Sequence, residues 1–137
     1  MNKVGYFSMA GLVAACLVVV AEAQDAKTPT IKEVMGKLTK GPNSLTTTIG
    51  KELGADEPTW DDIKKQSKEF CTFADALGKN KPPKGDANSW SKLTEAYAEN
   101  AKALSEAADK MDKKAAVAAH KKLQAACMNC HKAHRGK

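Results

Sequence analysis

The stretch DKKAAVAAHKKLQAACMNCH, residues 112–131, decides how the rest of the chain is read. Ala116, Val117, His120, Leu123, Cys127, Cys130 and His131 recur at three- and four-residue steps, the period of one helix face. Asp112 stands ahead of the run as an N-cap. The last five residues, Cys127-Met128-Asn129-Cys130-His131, form C-x-x-C-H, the signature of covalent haem attachment. On a helix, Cys127 and Cys130 project from one face, roughly 60° apart at about 100° per residue. Two thiols so placed can reach two vinyl groups along one side of a single porphyrin. His131 rises from the same face and can fill one axial position of the iron.

Two other chemistries use similar residues. A redox C-x-x-C opens a helix, where the positive dipole end lowers the thiol pKa, whereas this pair closes one. A zinc shell would draw on Cys127, Cys130, His131 and His134. One helix end closes a tetrahedron poorly, and the sequence has no second Cys/His cluster to complete it.

Upstream, helical periodicity recurs three more times. Pro29 and Thr30 open a segment in which Ile31, Val34, Met35 and Leu38 share a face. Gly41-Pro42-Asn43 interrupts it, because proline lacks an N–H and biases its predecessor away from helix. Leu45, Ile49 and Leu53 resume the pattern, which predicts one kinked helix or two short ones. Thr59 to Asp62 reads as an N-cap followed by acids that suit the helix dipole, and Trp60, Ile63, Ser67, Phe70, Cys71, Ala74 and Leu77 trace the next face. Asn80 to Asp86, with Lys81-Pro82-Pro83-Lys84-Gly85, is a clear break. Trp90, Leu93, Tyr97, Ala101, Leu104 and Ala108 then form a third face, capped by Asp86 or Ser89. Lys110-Met111-Asp112 is a tight connector to the final helix. No stretch alternates as a strand, so the expected fold is all-α: an antiparallel four-helix bundle with haem near the C-terminal helix.

The N-terminus reads as a signal peptide over residues 1–23. Lys3 precedes an apolar run from Val4 to Val20, and Ala21-Glu22-Ala23 fits a cleavage site. A membrane anchor would need about 20 apolar residues, and this run is shorter. Val13-Ala14-Ala15-Cys16 also resembles a lipoprotein box, but Leu17 to Val20 continue the apolar run past Cys16. Export to the periplasm or beyond is therefore expected, with a lipid anchor at Cys16 as the alternative. Residues 24–137 remain as one domain, enough for a modest core.

The chain carries a formal net charge of +6, and its lysines are spread over all the predicted helices. No basic run interleaves with aromatics, so nothing points to nucleic acid. Such a surface can steer an acidic redox partner. With Cys127 and Cys130 assigned to haem, Cys71 is left as a small buried apolar group or an intermolecular disulfide partner.

A bundle with C-x-x-C-H at its far C-terminus resembles the class II c-type cytochromes, the cytochrome c-prime group. Trp90, Tyr97, Ala103-Leu104-Ser105-Glu106-Ala107-Ala108 and Cys127 to Arg135 carry the resemblance, which elsewhere is one of architecture. It implies one haem c bound through Cys127 and Cys130, with His131 as proximal ligand. It also implies a basic residue one turn later, here Arg135, which either pairs a propionate or merely favours the helix C-terminus. His134 stands where relatives carry Tyr or Phe, for packing at the haem edge or for exposure.

The family has two branches. One ligates a first-helix methionine and transfers electrons; the other leaves iron five-coordinate and binds nitric oxide or carbon monoxide. Met35 is the methionine on the first helix here, as a soft axial ligand or as core filler beside Ile31 and Leu38. Lys32 stands near it where Met-ligated relatives carry an arginine. His120, two turns before Cys127, reads as a core or partly exposed histidine. Trp60 and Trp90 are expected at a bundle end, and Tyr97 and Phe70 as walls of the haem pocket. No His or Arg on the first helix supplies the acid–base pair of a peroxidase, so no enzyme activity is expected. Relatives often dimerise through their first two helices, where this chain has its Gly-Pro break.

Overall fold

The computed structural model describes residues 27–136. The expected signal segment, 1–23 with Cys16, lies outside the described residues. Five helices occupy most of the rest: α1 (Ile31–Thr39), α2 (Leu45–Gly54), α3 (Trp60–Gly78), α4 (Ala87–Asp109) and α5 (Lys113–His134). No strand occurs among the described residues, and the arrangement is compatible with a helical bundle. None of the described helices is long and apolar enough to cross a membrane.

Where the sequence left one kinked helix or two short ones, the chain has two, so five helices stand where four were expected. Gly41 at φ +88 reverses the chain ahead of Pro42. Each short helix then brings its own cap. Thr30 and Glu33 close a reciprocal capping box on α1, with Glu33 Oε2 accepting from the Thr30 N–H at 2.7 Å. Ser44 caps α2 by accepting from the Thr47 N–H. The threonine run that weakens α2 by propensity is used sideways: Thr48 Oγ1 donates to Gln66 Oε1 on α3 at 2.6 Å.

The caps of the longer helices divide. Asp86 accepts from the Ser89 N–H at 2.8 Å and Asp112 from the Ala115 N–H at 2.9 Å, as their residue types predict. Thr59 is the N-cap of α3 but makes no side-chain cap bond; α3 starts instead on the dipole attraction of Asp61 and Asp62, with the Glu52 carboxylate accepting from the Thr59 N–H at 3.4 Å. The α4–α5 connector closes through Met111 at φ +54, with the Asp112 N–H reaching back to the Ala107 carbonyl at 2.9 Å. That is a Schellman turn with methionine where glycine is usual.

The core runs along α3, α4 and α5. Ile63, Phe70 and Ala74 on α3 meet Tyr97, Ala101 and Leu104 on α4, and Ala116 and Leu123 of α5 close the far side. Burying a side chain of Phe or Leu size contributes about 1.5–3 kcal/mol each. Helix α2 packs on α3 and α5, and His120 ties it there: its Nε2–H donates to the Thr46 carbonyl at 2.8 Å, with the ring 7% exposed. Gly50 faces the same ring; a Cβ there would lie 3.0 Å from His120 Cε1. His120 is thus a core histidine holding two helices together.

Helix α1 is placed differently. It packs on α2 and α3 through Val34 and Leu38, both fully buried, yet no α1 Cα lies within 8 Å of any α4 or α5 Cα. An open space separates α1 from the last two helices.

Candidate haem site

That space is a cavity of about 460 Å³. Helix α1 gives it Ile31, Lys32, Met35, Gly36 and Thr39; α4 gives Trp90, Leu93, Thr94 and Tyr97; α5 gives Cys127, Cys130, His131 and His134. Arg135, the C-cap of α5, completes the rim with Lys40 and Pro83. All five residues singled out from the sequence, Cys127, Cys130, His131, Arg135 and Met35, therefore line one cavity, with Met35 facing in from a different helix from the other four. The volume lies within the range of small-molecule and cofactor sites, and the lining is mostly aliphatic and aromatic.

The two cysteines sit in the last two turns of α5, half-buried. Burial pushes both thiols above their usual range, and the Cys127 thiol adds to the rise at Cys130. The Cys127 S–H donates to the Leu123 carbonyl at 3.4 Å. A redox C-x-x-C needs the opposite shift, toward thiolate. The zinc reading loses its fourth ligand, because both ring nitrogens of His134 are engaged elsewhere: Nδ1 on the Lys84 carbonyl at 2.9 Å and Nε2 on Ser89 Oγ at 3.0 Å. No cluster of three or more Cys, His, Asp or Glu side chains among the described residues is placed to share a metal ion.

The remaining donors on the cavity are two neighbouring thiols and an imidazole from one wall and a thioether from the other. His131 is exposed and Met35 half-buried. Behind them, Tyr97 forms part of the wall, its phenol pushed well above the usual range by burial and by the nearby thiols. Phe70, expected beside it, is not on the cavity surface. It lies behind Tyr97 at 5.8 Å between ring centroids, fully buried, because residue 70 falls on the α3 stripe that faces the core. Trp90 is buried and lines the cavity, while Trp60 is half-buried against the core. Cys71 lies half-buried on α3, away from the cavity, its thiol raised chiefly by burial.

His134 departs furthest from expectation. Of the two expectations for it, exposure fails: it lines the cavity, is 2% exposed and meets Trp90 edge-on, at 5.4 Å and 79°. Its partners lie 45 and 50 residues away in sequence, beyond the reach of any local pattern. Leu93 and Thr94 were also missed as cavity residues. For Leu93 the signal existed, since it lies three after Trp90 and four before Tyr97 on one helix face.

Compared with known proteins, the chain matches no family model, no curated protein and no solved structure.

Proposed function

We propose that this chain is an exported, monohaem c-type cytochrome of the class II kind, acting in one-electron transfer. In this reading α1 and α2 together serve as the first helix of an antiparallel four-helix bundle, and the cavity between α1 and the C-terminal helix is the haem pocket. The observation that carries it is the meeting of Cys127, Cys130 and His131 with Met35 across a single cavity.

Cys127 and Cys130 would hold the cofactor covalently through their thiols. His131 and Met35 would hold the iron from the two walls. The bound haem supplies a one-electron couple, whose potential a His/Met pair raises. Tyr97, Trp90 and Leu93 keep water from the macrocycle. Arg135 pairs a propionate. Lys32, Lys40 and Arg135 are exposed at the cavity, and among the described residues no acidic side chain lines it. An acidic redox partner would be steered to this face at a rate that falls with salt.

The test is production in a host that attaches c-type haem. The wild type is expected to keep haem through denaturing electrophoresis, and Cys127→Ala/Cys130→Ala to lose it entirely. Low-spin spectra in both oxidation states, turning high-spin in Met35→Leu, would support electron transfer. A high-spin ferrous wild type that takes up nitric oxide rapidly would replace this reading with the five-coordinate, gas-binding one. N-terminal sequencing of the exported product should begin at Gln24.

A further inference from the structure

The two walls of the cavity are tied to one loop, residues 79–86 between α3 and α4. Near its start, the Asn80 side-chain amide donates to the Ala76 carbonyl at 2.8 Å and to the Pro29 carbonyl, just ahead of α1, at 2.9 Å. The Asn80 backbone carbonyl accepts the Trp90 indole N–H at 2.7 Å. Near its end, the Lys84 carbonyl meets His134 Nδ1 at 2.9 Å. A carbonyl can only accept, so Nδ1 carries a hydrogen and donates it, while Nε2 and the Ser89 hydroxyl bond each other at 3.0 Å. The ring is then fully satisfied and 2% exposed.

Gly85 makes this approach feasible. Its φ is +83, and a Cβ there would lie 2.8 Å from the Ala133 carbonyl and 2.9 Å from His134 Nδ1. No side chain fits between this loop and the end of α5. Trp90 spans the two ties, with its indole N–H on Asn80 and its edge on His134.

No α1 Cα lies within 8 Å of an α4 or α5 Cα, so the distance between its Met35 and the His131 of α5 is set through intermediates, α2 and α3 among them. The loop reaches both walls. We propose that residues 79–86 act as a clasp that spaces the two walls, with Asn80 a positioning residue for Met35 and His134 a positioning residue for His131. His134 lies one turn beyond His131, and Met35 lies six residues beyond Pro29, the last four of those steps, about 6 Å, along a capped helix. A displacement at either tie is therefore carried to the facing side chain. What the spacing is for rests on the haem reading; the clasp itself does not.

Two measurements on the full chain test it. In the haem-loaded protein, well below each variant's unfolding midpoint, Asn80→Ala is expected to lose most of the thioether-to-iron charge-transfer absorption while keeping covalent haem. His134→Phe and Gly85→Ala are expected to shift the reduction potential and the paramagnetically shifted proton resonances of the His131 ring in the ferric protein. His134→Gln, which can still donate to Lys84 and accept from Ser89, should restore part of that shift. Independently of haem, amide hydrogen exchange should rise at least about threefold in α1 for Asn80→Ala, and in the last turn of α5 for His134→Phe and Gly85→Ala, with the middle of α4 unchanged.

If the variants only lower the unfolding midpoint, with ligand signatures and local exchange as in the wild type, these are ordinary stabilising contacts and the clasp is overturned. A wild type without covalent haem would sink the cytochrome reading, and the exchange arm would still decide the clasp.

Discussion

The two walls of the cavity are built to different standards. The α5 wall is a 22-residue helix packed on both α4 and α2 and tied at its end by a buried histidine. The α1 wall is a nine-residue helix, isolated by Gly41 and Pro42, that touches only α2 and α3. Under the proposed function, covalent attachment and the proximal ligand fall on the heavy wall. The ligand that would decide between electron transfer and gas binding falls on the light one. A cofactor anchored to a rigid element tolerates adjustment on its other side, where a small movement of one thioether changes the chemistry most.

Truncating a buried leucine on each wall tests this contrast most strongly. Leu38 and Leu123 are both essentially buried, so either change to alanine is expected to lower stability by about 2–5 kcal/mol in urea unfolding. Leu123→Ala should fall in the upper half, because α5 is braced on two sides and cannot collapse into the gap. Leu38→Ala should fall in the lower half, because α1 can settle against α3. Equal losses would mean the walls are equally fixed.

The caps give a smaller, more local comparison. Thr30→Ala removes the box that starts α1 and should reduce stability by about 0.5–2 kcal/mol, seen first as faster amide exchange within α1. The Thr30 hydrogen bonds hold the Glu33 carboxyl below its ordinary value of 4.5. Its folded pKa is depressed, so its contribution is present above that ordinary value and is lost as pH falls through the lowered one. Relative to the intrinsic rate at each pH, the protection of α1 amides should therefore fall on acidification in the wild type, and much less in Thr30→Ala; parallel pH curves would remove Glu33 from the account.

The smallest expected effect lies away from both walls. Met111 holds a left-handed conformation at the α4–α5 turn and is 56% exposed. Met111→Gly should raise stability by about 0.5–1 kcal/mol with the spectra unchanged. A lower melting temperature would show that the methionine side chain contributes contacts worth more than the strain.

Much of this was readable beforehand because helix faces are written at three- and four-residue spacing and caps in single residues. That is how Asp86, Asp112 and the C-x-x-C-H helix were placed. What escaped depends on partners remote in sequence or on register. The Thr59 hydroxyl looks like any other N-cap until its side chain is seen to make no bond. Phe70 and Tyr97 are equal candidates for a pocket wall until the α3–α4 packing puts one behind the other. His134 and Asn80 have no local signature, since their partners lie on the far side of a loop or in the lead to α1.

The three-residue link between α4 and α5 gives the folding reaction a direction. Contacts across that hairpin are near in sequence, whereas α1 reaches α3 only across α2, so α1 docks at a higher loop-closure cost. We expect the α4–α5 hairpin to form in the folding nucleus and α1 to join after it, with φ-values high near Leu104 and Leu123 and close to zero at Val34 and Leu38. Under the proposed function, the C-x-x-C-H segment would then stand presented on a formed helix before the opposite wall arrives, leaving a window during which the thiols are open to an attachment apparatus.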